Sequence, residues 1–220
     1  DTSSPTLAWA TFYLPTLFRN YDPKNAEKAL DFINKHTELK TFSNYTFIGY
    51  AFERNNDFIN AKVTYQLALP LAENENEVYH SYMYYTNFLT RTGDYQLADD
   101  YIRKMEILST TANGFFKESY KSEAMSARII YYLNVGDYQS YVQASEKRNA
   151  ELLPIWSKSN TTECNPYNGI FFSNTAFGKE MMKEYDVAQK LWKSRDSVNT
   201  IWVNCYNKTY PNSKYYSLSM

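Results

Sequence analysis

Glycine is scarce in this 220-residue chain, at six residues, and cysteine and histidine are scarcer still, at two each. Six scattered glycines leave no loop that could cradle a phosphate, since such loops concentrate glycine within a few positions. Two cysteines, Cys164 and Cys205, cannot build a disulfide-rich scaffold or a four-cysteine zinc site. Two histidines, His36 and His80, exclude most histidine-based metal centres. Neither a metal nor a cofactor is therefore expected. An excess of one charge is missing too: 23 Lys and Arg stand against 24 Asp and Glu, for a net charge of -1. Phosphate binding needs a basic excess, so nucleic acid is not an expected partner, and a polybasic membrane anchor has no support. The longest apolar stretch, residues 7–18, falls short of the roughly 20 residues that span a bilayer, and Pro15 interrupts it. Membrane insertion is not expected. No basic segment precedes an apolar one as in a signal peptide. The chain starts at Asp1 rather than Met, which leaves open a lost leader or a piece of a longer protein. A cytoplasmic and an exported location both remain open.

Enzyme constellations are missing as well. There is no HExxH, GxSxG, P-loop or CxxC. Carboxylates such as Asp99 and Asp100, or Glu73, Glu75 and Glu77, read as solvated helix ends or loops. No catalytic residue is assigned, and a non-enzymatic role is expected.

Aromatic residues make up 18% of the chain, and 22 of them are tyrosine. Tyrosine joins an apolar body to a polar tip, so it suits half-buried seams and binding surfaces. Three N-glycosylation sequons begin at Asn44, Asn160 and Asn207. A chain this rich in Asn, Ser and Thr yields about three by chance, so they carry no weight. Cys164 and Cys205 either pair in an oxidising compartment or stay as two partly buried thiols.

The prolines at 5, 15, 23, 70, 154, 166 and 211 fall between or near the ends of segments with helical periodicity, Pro15 excepted. No strand pattern stands out, and the expected class is all-α. A short motif then repeats: Asn56-Asp57-Phe58, Gly93-Asp94-Tyr95 and Gly136-Asp137-Tyr138, with Lys183-Glu184-Tyr185 as a looser copy. Three residues after each aromatic stand Ala61, Ala98, Tyr141 and Ala188. Spacings of about 37, 43 and 47 residues are those of a helical repeat array. The Asn or Gly supplies a left-handed residue that ends one helix. The Asp caps the next. The small residue lets the two helices approach closely.

These residues resemble the tetratricopeptide repeat (TPR), whose pattern runs Trp-x2-Leu-Gly-x2-Tyr, then Ala-x3-Phe, another small residue and often Pro. The best copy spans 42–75, with Tyr45, Ile48, Gly49 and Phe52 in the first helix and Ala61, Tyr65 and Ala68 in the second. The next spans 79–112, with Tyr82, Tyr85, Leu89, Gly93, Tyr95, Ala98, Ile102 and Met105; Thr86 replaces the family glycine, and looser packing is expected there. Weaker copies span 122–155, where Tyr141 replaces an alanine, and 169–202, where Lys179 replaces an aromatic. A further copy spans 7–40, with Ala26, Leu30 and Ile33 in its second helix and a kink expected at Pro15 in its first. The resemblance implies a single domain over 1–205, a right-handed α-α superhelix of about five helix-turn-helix hairpins, with 206–220 as a polar, Tyr-rich tail or cap.

In the family, first helices line a concave face. The resemblance places Tyr50, Glu53 and Arg54 there, then His80, Met83, Asn87 and Arg91, then Glu123, Ser126 and Ile130. Tyr50, Arg54, His80, Met83, Asn87 and Arg91 are the candidate binding residues. Arg54 and Arg91 occupy equivalent positions in successive repeats and could grip a carboxylate or acidic peptide. As last-turn residues they could equally do no more than complement helix dipoles. His80 is either a ligand contact or an exposed helix-start residue. The Asn87 amide could fix an extended backbone. The lysines with which some family members clamp a C-terminal carboxylate are missing. The implied function is a protein-interaction or scaffolding module that binds a protein or extended peptide. Two alternatives stand beside it: a small-molecule or glycan receptor with a Tyr-rich pocket, and self-association through the apolar face of residues 7–18.

Overall fold

A computed structural model describes residues 4–19, 23–112, 117–159 and 167–209. Among them every regular element is helical and no strand occurs. The chain divides into two compact units, Asp1–Ala127 and Arg128–Met220. The five expected hairpins are all present. The first joins α1 (Pro5–Ala8), a π-helical stretch (Trp9–Tyr13) and α2 (Leu14–Arg19) to α3 (Pro23–Lys35). Next come α4 (Phe42–Arg54) with α5 (Phe58–Ala68), then α6 (Glu75–Thr92) with α7 (Tyr95–Thr111). The last two are α8 (Lys117–Val135) with α9 (Tyr138–Ser159), and α10 (Tyr167–Met181) with α11 (Tyr185–Thr209). Helix α11 runs four residues into the expected tail, and residues 210–220 lie outside the described residues.

Pro15 has no N–H to donate, and its ring would crowd the carbonyl one turn back. The disruption expected there takes the form of the π stretch just before it, where the Leu14 N–H reaches back to the Trp9 carbonyl.

The four later hairpins turn in one way. Asn56, Gly93, Gly136 and Lys183 sit in the left-handed region, at φ of 60°, 82°, 76° and 65°. In each case the next N–H bonds to the carbonyl five residues earlier: Asp57 to Phe52, Asp94 to Leu89, Asp137 to Tyr132 and Glu184 to Lys179, at 2.9–3.0 Å. This bond satisfies a carbonyl that the helix end would leave bare. The capping expected of the aspartates holds at two sites. Asp57 accepts from the Asn60 N–H at 3.1 Å, and Asp137 from that of Ser140 at 3.0 Å. Asp94 makes no cap; its carboxylate instead takes the Lys62 ammonium of the preceding hairpin at 2.9 Å.

In the first unit the residues after the turns let the helices close together. Ala61 and Ala98 are fully buried. Gly49 faces the ring of Tyr65 so closely that a methyl group would lie 3.1 Å from it. At the equivalent point of the next hairpin the pair becomes Thr86 and Ile102, both buried, with the Thr86 hydroxyl left without a hydrogen-bond partner. In the second unit, Ile129, Tyr141 and Val142 form a buried cluster with Tyr132, Leu133, Ala144 and Met182 against it. Tyr141 fills the place of the family alanine, and the helix facing it compensates. A methyl group on Gly178 would lie 2.9 Å from the Tyr141 ring and nearer still to the Val142 side chain.

Tyrosine builds much of this interior. Tyr79, Tyr85 and Tyr120 are almost wholly buried, and Tyr45, Tyr65 and Tyr141 nearly so. The rings of Tyr79 and Tyr120 stack at 3.9 Å, and the Tyr79 hydroxyl donates to the Tyr120 carbonyl at 2.7 Å. Burial raises the pKa of both hydroxyls, and likewise of Tyr45, Tyr65, Tyr85, Tyr101 and Tyr141.

Two outcomes follow from these features. Lysine pays a steric cost in the left-handed region that glycine does not. Lys183→Gly should raise unfolding stability by about 0.5–1 kcal/mol in urea titration, and Lys183→Val should lower it by about 1–2 kcal/mol. Phenols whose folded pKa is raised stabilise the fold fully below their unfolded value near 10, and this is lost as pH climbs toward the folded values. In an alkaline titration followed at 295 nm, these seven tyrosines should ionise late and together with the loss of helical circular dichroism.

Candidate functional site

Thr41 caps α4 by accepting from the Asn44 N–H, and Asn74 caps α6 by accepting from the Glu77 N–H. The Glu77 side chain reaches back in turn and accepts from the Glu73 N–H at 2.9 Å. With both first helices started in this way, the four-residue spacing puts one face of each against a shared cleft. Phe42, Ser43, Thr46 and Phe47 line it from α4, and Asn76, Glu77, His80 and Tyr84 from α6. Its volume is about 250 Å³.

The polar groups of this cleft have defined roles. The His80 Nδ1 lies 2.7 Å from the Asn76 carbonyl oxygen. A carbonyl only accepts, so Nδ1 carries a hydrogen, and in the neutral ring Nε2 is the acceptor. The Asn76 side-chain oxygen accepts from the Tyr120 hydroxyl at 3.1 Å. Thr64, Thr90 and Ser145 satisfy their hydroxyls on the carbonyl one turn back, at 2.7–2.8 Å. Thr46 does not; its hydroxyl is buried and has no hydrogen-bond partner.

Of the candidate binding residues, His80 lines the cleft. Tyr50 and Asn87 are exposed further along α4 and α6, and Met83 is half-buried. The two arginines have different surroundings. The Arg54 guanidinium lies over the Tyr50 ring, 6.0 Å from its centroid. Arg91 reaches across to the preceding hairpin and pairs with Glu53 at 2.5 Å. Glu53, expected on the open face, is instead 4% exposed, and its second oxygen accepts from the Tyr65 hydroxyl at 2.7 Å. Burial first, and then the Glu53 charge, push that hydroxyl far above the usual phenol range. Further along, one Glu123 oxygen accepts from the Ser119 hydroxyl and the other is buried without a partner. Ser126 bonds to the Ser122 carbonyl, and Ile130 is exposed.

The other seven lining residues, Phe42, Ser43, Thr46, Phe47, Asn76, Glu77 and Tyr84, were not among the candidate binding residues. The repeat offset of about 37 residues was a usable signal, for it carries His80 onto Ser43, Met83 onto Thr46 and Tyr84 onto Phe47. Asn76, Glu77 and Tyr84 stand three or four residues from His80 on the same helix face.

Elsewhere, Cys205 is disulfide-bonded, and Cys164 lies outside the described residues. Among the described residues, no group of three or more His, Cys, Asp or Glu is gathered as a metal ion requires. No helix among them is long and apolar enough to cross a membrane.

The environments of the two arginines separate their effects on stability. Arg91→Ala strips a buried carboxylate of its charge partner, although the guanidinium itself is half in solvent. It should cost about 1–3 kcal/mol in chemical denaturation. Arg54→Ala removes a contact with an exposed ring and should cost about 0.5–1 kcal/mol.

No family model matches the chain, and no curated protein does. Among solved structures the chain is similar to the TPR-like repeats of a candidate kinesin light chain from Podosopora anserina, described as nearly identical to one another. The two are 13% identical, and the match covers 96% of this chain and 100% of that one, with a TM-score of 0.63. At this identity the likeness is one of fold, and it agrees with the four like turns and the paired helices above: the chain has the all-α fold of TPR-like helical repeats.

Proposed function

We propose that this chain is a non-enzymatic protein-interaction module that holds an extended segment of a partner along the first helices of its hairpins, with α4 and α6 as the principal contact. The observation that carries this reading is the cleft between those two helices. It opens on the same helices that present Tyr50, Asn87 and Arg54 at the surface. A preformed cleft on two rigid helices lowers the ordering cost of binding an extended chain. The volume of about 250 Å³ suits one or two side chains. Pockets for whole small ligands usually run from about 300 to 1,000 Å³, and many of the tyrosines that a glycan receptor would need are spent in the interior. An acidic ligand held by a pair of arginines draws less support than the sequence suggested, because the Arg91 charge is already answered by Glu53.

Arg91 is consequently a poor probe of binding, since its removal disturbs the fold. A photo-crosslinking phenylalanine analogue tests the face more cleanly. Placed at Asn87, it should yield discrete adducts in an extract of the native source. Placed at Val63, exposed on the second helix α5, it should yield at least fivefold less of the same adducts. Equal adducts from both positions would move binding away from the first helices.

A further inference from the structure

We infer that the cleft between α4 and α6 is a subsite for a primary ammonium on an alkyl stem, that is, for a lysine side chain of the bound segment. The inference rests on the peptide-binding reading above and names the chemistry of that site.

Three hydrogen-bonding groups of the cleft can accept, beside the Ser43 and Tyr84 hydroxyls, which donate or accept, and the Asn76 amide nitrogen, which donates. His80 has its Nδ1 hydrogen fixed on the Asn76 carbonyl, so the neutral ring offers Nε2 as a lone pair. Glu77 spends one oxygen on the Glu73 N–H and is a carboxylate with a second oxygen. The Thr46 hydroxyl is buried, has no partner, and forgoes the turn-back bond that Thr64 and Thr90 make. A buried hydroxyl in that state loses its bonds to water and gains none in return. Threonine in a helix holds two χ1 rotamers, so the hydroxyl can turn toward an arriving donor. An ammonium carries three donors and no acceptor, which suits a cleft that these three residues line.

Charge points the same way. No lysine or arginine lines the cleft, whereas Glu77 does, and Glu75 stands in the same first turn of α6. Each helix start carries about half a positive charge, which by itself would favour an anion. The two helix starts together are offset by Glu77, and Glu75 beside it leaves the balance of charge negative, so a carboxylate ligand is disfavoured. The walls contributed by Phe42, Phe47 and Tyr84 suit the four-carbon stem, and aromatic walls are compatible with a cation.

The test uses the full chain, isotope-labelled, and three blocked heptapeptides of alanine and glycine. They differ only at the centre, which is lysine, norleucine or glutamate. Norleucine has an apolar stem without the ammonium. The lysine peptide should move the NMR signals of Thr46, Glu77 and His80 saturably, and norleucine should bind at least fivefold more weakly. Glu77→Gln keeps an acceptor for the Glu73 N–H and removes the charge, so it should weaken the lysine peptide by threefold or more. Thr46→Val should also weaken it, while the thermal midpoint holds or rises, which sets the hydroxyl's role in binding apart from any role in folding. Norleucine or glutamate binding as tightly as lysine, with the same signals moving, would overturn the lysine assignment and leave the peptide groove standing. If no peptide moved these signals, the assignment would also fall, and the crosslinking result at Asn87 would decide the groove by itself.

Discussion

Everything in this architecture depends on stopping a helix at a defined residue and sending the chain back beside it. Four times, one left-handed residue places the next N–H onto the carbonyl five residues earlier, so the first helix closes with its last carbonyls satisfied. The turn is short, and the two helices must therefore lie in close contact. Close contact in turn demands small residues where they meet, which Gly49, Ala61, Ala98, Ala176 and Ala188 provide. The candidate site is a product of the same constraint. With the second helices held behind them, successive first helices α4 and α6 stand near enough for eight side chains to share one cleft.

The turns were the most legible part of the sequence, because their chemistry is local. Asn56, Gly93 and Gly136 belong to the residue types that tolerate a positive φ. Lys183 does not, and there the aromatic and the small residue that follow were the better guides. What lay beyond reach was pairing between hairpins. Asp57 and Asp94 look alike in sequence, but the first caps its helix while the second pairs with Lys62 of the preceding hairpin. Glu53 and Arg54 are neighbours at the end of one helix. One turns into the interior because Tyr65 and Arg91 wait there, 12 and 38 residues further along the chain, and periodicity alone cannot foretell that. The cleft was half legible: His80 was singled out, while its equivalents one repeat earlier were not.

Tyrosine gives this interior a character of its own. A core of leucine and valine would need only shape, whereas a buried phenol must also find an acceptor or donor. Tyr45 donates to Asn34, Tyr65 to Glu53, Tyr79 to a backbone carbonyl and Tyr120 to Asn76, and Tyr85 accepts from Gln66. Each of these bonds joins different elements, so each fixes a direction as well as a distance. The Asn76 bond is of special interest, since it ties a residue of the cleft to the stacked pair of Tyr79 and Tyr120 behind it.

Repeat proteins are often pictured as interchangeable bricks, which recombination can duplicate, delete or shuffle. The contact between Tyr141 and Gly178 marks a place where this chain has lost that freedom. The Tyr141 ring and the Val142 side chain on α9 fit only because the helix that follows has no side chain at the facing point. A copy of the last hairpin with an ordinary residue at 178 would not seat against α9, and a fourth hairpin with alanine at 141 would leave a void beside Gly178. The two hairpins must be inherited as a pair, and their order along the chain is fixed by two adjoining side chains on one helix and the absence of one on the next.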